Sequence, residues 1–235
     1  MTRPALHDDR SVLDARLTTT LAAFVAAHPP GADEDVHMVP AVVDHVIERL
    51  TQPGDVVLDP FAGFGTTLAR AVALGRQAWG VELLPERVAY ARARTPSALV
   101  VEGDARALLA VLAEGVPRTP RAAVDLVLTS PPYMTATDHD ADPLTAYELD
   151  GGDYARYLRE LGMVAAQCAQ VVRPGGHVVW NVADIHHRGH TTHLIADCAR
   201  VLEEHLGPVT VVPIDWDALP HDLVADALLV SRRPG

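Results

Sequence analysis

The chain has 235 residues, carries a formal net charge of −12 and is 49% apolar, which suits a folded α/β domain with a full core and excludes a disordered chain. No apolar run reaches the ~20 residues a membrane span needs, and the N-terminus lacks a basic-then-apolar leader, so a cytoplasmic protein without membrane contact is expected. All 19 basic residues are Arg and none cluster in sequence, which counts against an autonomous grip on a duplex phosphate backbone.

Apolar residues at Val12, Leu13, Leu17, Leu21, Phe24 and Val25 predict a helix over Asp8–Ala27, ended by His28-Pro29-Pro30-Gly31. Residues 1–36 are expected as a helical extension and 37–235 as the main domain. Pro40–Leu50 reads as a second helix. Strands and helices then alternate. Asp55–Asp59, Gln77–Glu82, Ala98–Glu102, Val124–Thr129 and His177–Asn181 read as strands. Thr66–Leu74, Pro85–Arg94, Ala105–Ala113, Tyr154–Val172 and Thr192–His205 read as helices. Val209–Ile214 and Ala227–Ser231 suggest a closing hairpin-like pair. The alternation predicts a Rossmann-like α/β fold, a mostly parallel seven-stranded sheet with helices on both faces and an antiparallel C-terminal strand. Ligands in such sheets sit beyond the carboxyl ends of the strands.

Three acids fall at those ends. Asp59 opens the Gly-containing loop Asp59-Pro60-Phe61-Ala62-Gly63-Phe64-Gly65-Thr66-Thr67, which lacks the Lys of a phosphate-cradling loop. An Asp there suits an ammonium group, Glu82 suits ribose hydroxyls, and Asp104 suits an adenine amino group. An amine, a ribose and an adenine in one crevice describe S-adenosyl-L-methionine. Thr129-Ser130-Pro131-Pro132-Tyr133 follows the fourth predicted strand. An exocyclic amino group is conjugated and a poor nucleophile. Hydrogen bonds from its N–H groups to Ser130 and to a rigid backbone carbonyl, that of Pro131, would free the lone pair, while Pro132 stiffens the loop and Tyr133 offers a stacking face.

These residues carry a resemblance. Pro53–Gly63, Gly80-Val81-Glu82, Pro85-Glu86-Arg87 and His37-Met38-Val39-Pro40 are similar to the joined motifs of the DNA amino-methyltransferases, enzymes of adenine N6 and cytosine N4. Arg173–Asn181 also resembles that family, and the likeness runs over about residues 37–202. It implies a class I S-adenosylmethionine-dependent methyltransferase. It further implies that Asp59, Phe61, Gly63, Gly65, Thr66, Glu82, Leu83 and Asp104 contact the cofactor, with His37 and Pro40 near its methionine end. The Ser-type loop resembles that of cytosine-N4 enzymes somewhat more than that of adenine-N6 enzymes. Related loops methylate glutamine amides and guanine N2, so the loop denotes a planar nitrogen.

The expected activity is therefore N-methylation of an exocyclic amino group of a nucleic-acid base, in DNA or RNA, with a partner protein for recognition and a homodimer as options. A peptide amide or small metabolite is the alternative substrate, and a cofactor-binding subunit of a larger complex the non-enzymatic one. The alternative substrate gains from the acidic stretch Thr135–Asp153 and from the lack of a spare recognition segment. His186, His187, His190 and His193 are expected in a loop as substrate-contacting or solvated side chains, not as metal ligands. Cys168 and Cys198 lack metal or redox spacing and read as buried thiols.

Overall fold

The computed structural model describes residues 13–32, 37–116, 124–133 and 153–234. The acidic stretch after Tyr133 lies outside them, apart from Asp153, as do residues 8–12 of the expected first helix. In chain order the elements are β1 (Leu17–Thr19), α1 (Leu21–Ala26), α2 (Pro40–Leu50), β2 (Val56–Asp59), α3 (Thr66–Ala73), β3 (Gln77–Glu82) and α4 (Pro85–Arg94). β4 (Leu99–Glu102), a 3₁₀ turn (Ala105–Ala107), α5 (Leu108–Gly115) and β5 (Val124–Thr129) follow. The chain then forms α6 (Tyr154–Val171), β6 (Val172–His187), β7 (His190–Thr192), α7 (Leu194–Leu206), β8 (Val209–Trp216) and β9 (Leu223–Arg232).

The described strands form one sheet of nine in the order β1-β8-β9-β6-β5-β2-β3-β4, with β7 paired to β6. From β6 to β4 the strands run parallel, and β9 lies antiparallel between β6 and β8. β2 and β5 are buried along their whole length, as strands covered on both faces must be. One apolar cluster, built on Leu161, Val164 and Leu202 of α6 and α7, fills one face. The other, built on Val43, Ile47 and Leu68 of α2 and α3, fills the opposite face. The chain order reverses at β2 and β5, so the crevice beyond their carboxyl ends is the ligand position this topology provides.

Three local expectations change. Leu17–Thr19 is a strand, not helix, because it pairs in parallel with Ile214–Trp216 and extends the sheet edge; only Leu21–Ala26 is helical, started by the Thr20 side chain accepting from Ala23 N. β6 is much longer than His177–Asn181, because β9 pairs along it from His177 to Ile185. The four clustered histidines do not share an open loop. His187 pairs with His190 in the β6–β7 hairpin, turned by Arg188 and Gly189 at φ 49° and 77°, the left-handed pair that fits a two-residue hairpin turn.

Candidate active site

Asp59, at the end of β2, is 3% exposed. Its Oδ1 accepts from Phe61 N at 3.0 Å and from Thr129 Oγ1 at 2.6 Å. Burial, with a smaller push from Glu82, raises its carboxyl to about 6 despite these bonds. Gly63 and Gly65 take φ 49° and 78°, and Gly65 turns the chain into α3. Glu82, at the end of β3, is also buried. Its Oε2 accepts from Gly63 N at 2.7 Å and its Oε1 from Leu84 N at 3.0 Å, so it fixes the glycine loop and the turn through Leu83 together. Thr66 heads α3, where its Oγ1 and the Phe64 carbonyl both accept from Arg94. Phe61 packs on the core, and Pro40 stands at the first position of α2.

Asp104 is placed differently from its two fellow acids. Gly103 N donates to Glu82 O at 2.9 Å, so Asp104 lies next to the β3 end. Its Oδ1 caps the 3₁₀ turn through Arg106 N, and its Oδ2 pairs with the Arg106 guanidinium at 2.7 Å. Arg106 in turn reaches Glu160 of α6.

Ser130-Pro131-Pro132-Tyr133 leaves the end of β5, two strands' ends from Glu82. Thr129, the last residue of β5, ties this loop's base to Asp59. Ser130 Oγ and Tyr133 Oη share a hydrogen bond at 3.2 Å. Tyr157 of α6 donates its hydroxyl to the Pro132 carbonyl at 2.9 Å. Burial raises the Tyr133 phenol above its ordinary range, so it stays protonated.

A cavity of about 210 Å³ opens beside Ser130 and Tyr133, below the ~300–1,000 Å³ of pockets for larger ligands. Its walls include residues the sequence reading missed: Phe24, Asn181, Trp216, His221 and Asp226. His37 stacks on Phe24 with centroids 4.3 Å apart and planes 5° apart, and its Nε2 bonds the Phe24 carbonyl. Trp216 and His221 meet Phe24 edge-on at 6.0 Å. Asp226, an acid beside a predicted strand, and Asn181, the last residue of the stretch Arg173–Asn181, could have been suspected, whereas Phe24, Trp216 and His221 carry no motif.

The histidines are engaged locally. His186 bonds Thr191 Oγ1, His187 faces Asp222, and His193 faces Asp184. Among the described residues, no group of three or more His, Cys, Asp or Glu side chains is disposed to hold a metal ion. No described helix is long and apolar enough to cross a membrane.

Residues 37–93 match the family described as DNA methylase. Two curated relatives match over short stretches. DNA adenine methyltransferase YhdJ of Escherichia coli (strain K12) is 46% identical over 48 residues, which is 20% of this chain and 16% of that protein. Type II methyltransferase M.BglII of Bacillus subtilis is 38% identical over 61 residues, 26% of this chain and 15% of that protein. The alignments thus span about a sixth of each relative.

Solved structures extend the likeness to the whole fold. The T. thermophilus 16S rRNA N2 methyltransferase RsmC, solved with AdoMet and guanosine, superposes with a TM-score of 0.54 over 87% of this chain and 45% of its own, at 17% identity. An rRNA methylase from Streptococcus thermophilus gives 0.54 over 85% and 99%, at 9% identity. The fold is the class I methyltransferase fold, whose cofactor is S-adenosylmethionine. The donor set suits it. Asp59 and Glu82 are buried acceptors at adjacent strand ends, and each carboxylate oxygen can accept a further bond beyond its partners named above.

Proposed function

We propose that the chain is an S-adenosylmethionine-dependent N-methyltransferase of an exocyclic amino group in a nucleic-acid base, with cytosine N4 slightly ahead of adenine N6. The observation that carries the reading is the bond from Thr129 to Asp59, which joins the base of the Ser130–Tyr133 loop to the cofactor side of the crevice. Asp59 takes the cofactor's ammonium group, Glu82 its ribose and Asp104 its adenine end, the last after giving up part of its pairing with Arg106. Phe61, Gly63, Gly65, Thr66 and Leu83 line the same side, and His37 and Pro40 the methionine end. Residues 37–235 form the catalytic domain, with 1–36 as an extension that adds β1 and Phe24.

S-adenosylmethionine supplies a methyl group already activated by its sulfonium. The protein's part is to position and polarise the acceptor. Ser130 Oγ accepts one N–H of the amino group, and the Pro131 carbonyl, fixed by two proline rings, stands as a second acceptor. Tyr157 immobilises the loop through Pro132. Tyr133 presents its ring to the planar substrate. The two free, buried thiols fit a reducing cytoplasm.

A second reading, a peptide amide or small metabolite as acceptor, is favoured by the charge of −12 and the small cavity. Labelled S-adenosylmethionine offered with DNA, RNA, protein and small-molecule fractions decides. Label in nucleic acid supports the lead reading, and label only in the other fractions overturns it. Tight cofactor binding without any transfer would point to a cofactor-binding subunit.

A further inference from the structure

A second recess adjoins the cavity beside Ser130. It measures about 280 Å³, and Phe24, His37, Pro220 and His221 line both hollows. The stacked rings of Phe24 and His37 are therefore a wall that the two share. Val25 and His28 line only the outer recess, with Leu21 and Leu219 beside them. His28 meets His37 edge-on, with centroids 5.9 Å apart and planes at 85°. His221 meets Phe24 edge-on from the β8–β9 turn. It is exposed and holds φ 52°, in the left-handed region that glycine fills without cost. The outer recess is thus built from three imidazoles and apolar side chains.

Charge and size decide what fits there. Among the described residues, no carboxylate lines the outer recess, although the chain carries −12, and no arginine lines either hollow. Asp217, close by in sequence, is turned to the chain itself, where it accepts from Leu21 N and Ala218 N. A polynucleotide held here is gripped by its rings more than by its phosphates. Stacking on aromatic and imidazole faces is how unpaired bases are held. The inner cavity, about 210 Å³, suits a single base, so the nucleotide joined to that base lies outside it. The recess across the shared Phe24–His37 wall is the ring-lined surface that meets it there.

We propose that the outer recess is a second base subsite, which takes the ring of the nucleotide next to the methylated one in a single strand, packed among His28, His37 and His221. The proposal rests on the nucleic-acid reading above. Ser130 and the Pro131 carbonyl keep both N–H groups of the target, and the new subsite adds affinity and flanking-base choice without touching the reacting nitrogen. In a duplex the neighbouring base stays stacked within the helix and does not reach the recess. The substrate class is thus a single strand, in which the target base needs no extrusion and stacking supplies affinity that phosphate contacts supply on a duplex.

The test is calorimetric titration of the full chain, saturated with S-adenosylhomocysteine, with single-stranded trinucleotides in deoxy and ribo forms. Each carries cytosine or adenine at its centre and either intact or abasic flanks. Wild type is expected to bind at least one intact trinucleotide ten-fold or more tighter than its abasic-flanked counterpart. Val25→Glu, at a position 64% exposed, puts a carboxylate into the recess and is expected to bring that ratio below three, with S-adenosylmethionine affinity as the measure of folding. Equal wild-type affinity for intact and abasic flanks overturns the proposal, and this comparison needs no variant. A ratio kept in both folded Val25→Glu and folded His28→Ala removes this recess from the role. A hairpin duplex carrying the same triplet and bound as tightly as the trinucleotide overturns the single-strand class. S-adenosylmethionine binding without any trinucleotide binding overturns the nucleic-acid reading beneath the proposal. Failure to bind S-adenosylmethionine overturns the enzyme reading itself.

Discussion

Thr129 Oγ1 donates to Asp59 Oδ1 across 2.6 Å, and through this bond the end of β5 fixes the carboxylate at the end of β2. Both residues are buried, so no water substitutes for the hydroxyl. Thr129→Val keeps the shape and removes the donor. The carboxyl of Asp59 then rises above its present value, and a bond to a charged group worth ~1.5–3 kcal/mol is lost. With the ammonium group placed at Asp59, S-adenosylmethionine affinity is expected to fall about ten-fold or more at neutral pH. Calorimetry on the folded variant checks this, and unchanged affinity would remove Asp59 from the ammonium site.

The raised carboxyls give the pH dependence a definite sign. Asp59 and Asp226 both titrate at about 6, above the ordinary 3.8, chiefly because they are buried. Between pH 4 and 6 the native state therefore holds protons that the unfolded chain releases. Stability from these groups is fully present below pH 4 and is lost as pH rises through 6, on the order of 3 kcal/mol for each. Asp59→Asn lacks its share of that loss. Its melting temperature relative to wild type is expected to climb from pH 4.5 to pH 7.5 in the ligand-free protein. Cofactor affinity of the wild type runs the other way, dropping below pH 6 as Asp59 protonates. A stability difference that stays flat across the window would contradict the buried-carboxylate account.

Much of the crevice at the ends of β2 and β3 was legible because its cues are local. Pro40 at a helix start, the glycine loop after Asp59, and Glu82 at the next strand end each follow from neighbouring residues, and α2, β3, α4 and β5 have their expected bounds. Of the cavity walls, Ser130 and Tyr133 were legible and the rest was not. Leu13, Leu17, Leu21 and Phe24 show helical spacing, yet Leu17–Thr19 is strand because the β8 edge offers unpaired backbone groups that local propensity does not reveal. Asp226 reaches the ligand end only because β9 runs antiparallel, so the start of that strand lies beside the ends of the others. Strand direction is a tertiary fact. Asp104 shows the converse, a motif position whose carboxylate is taken up by Arg106.

Gly80 lets the glycine loop after Asp59 pack against β3. A Cβ there would stand 2.7 Å from Leu68 Cδ1 of α3 and 2.9 Å from Ala62 Cβ of the loop. Gly80→Ala must push both away from the strand. Overpacking of this kind costs about 1–3 kcal/mol, and the displaced loop also moves Gly63 N off Glu82. The expected outcome is a lower denaturant midpoint together with weaker S-adenosylmethionine binding. Loss of stability with full cofactor affinity would show that the loop re-seats without Gly80.

Tyr157 and Ser130 test how the reacting loop is held and what it does. The Tyr157 hydroxyl donates to the Pro132 carbonyl at 2.9 Å, so it acts on the substrate through the position of the loop. Tyr157→Phe removes the bond to Pro132, ~1 kcal/mol, and leaves the ring packed against Tyr154. Methyl transfer is expected to slow by about ten-fold, in kcat, with cofactor affinity unchanged. Ser130→Ala removes the acceptor proposed for the amino group and is expected to cost ~10²–10³-fold in kcat, by analogy with loss of one transition-state hydrogen bond. Tyr133→Ala is expected to raise KM as well, since the stacking face goes with it. Equal losses in Tyr157→Phe and Ser130→Ala would mean that loop rigidity, and not contact with the nitrogen, is what Ser130 provides.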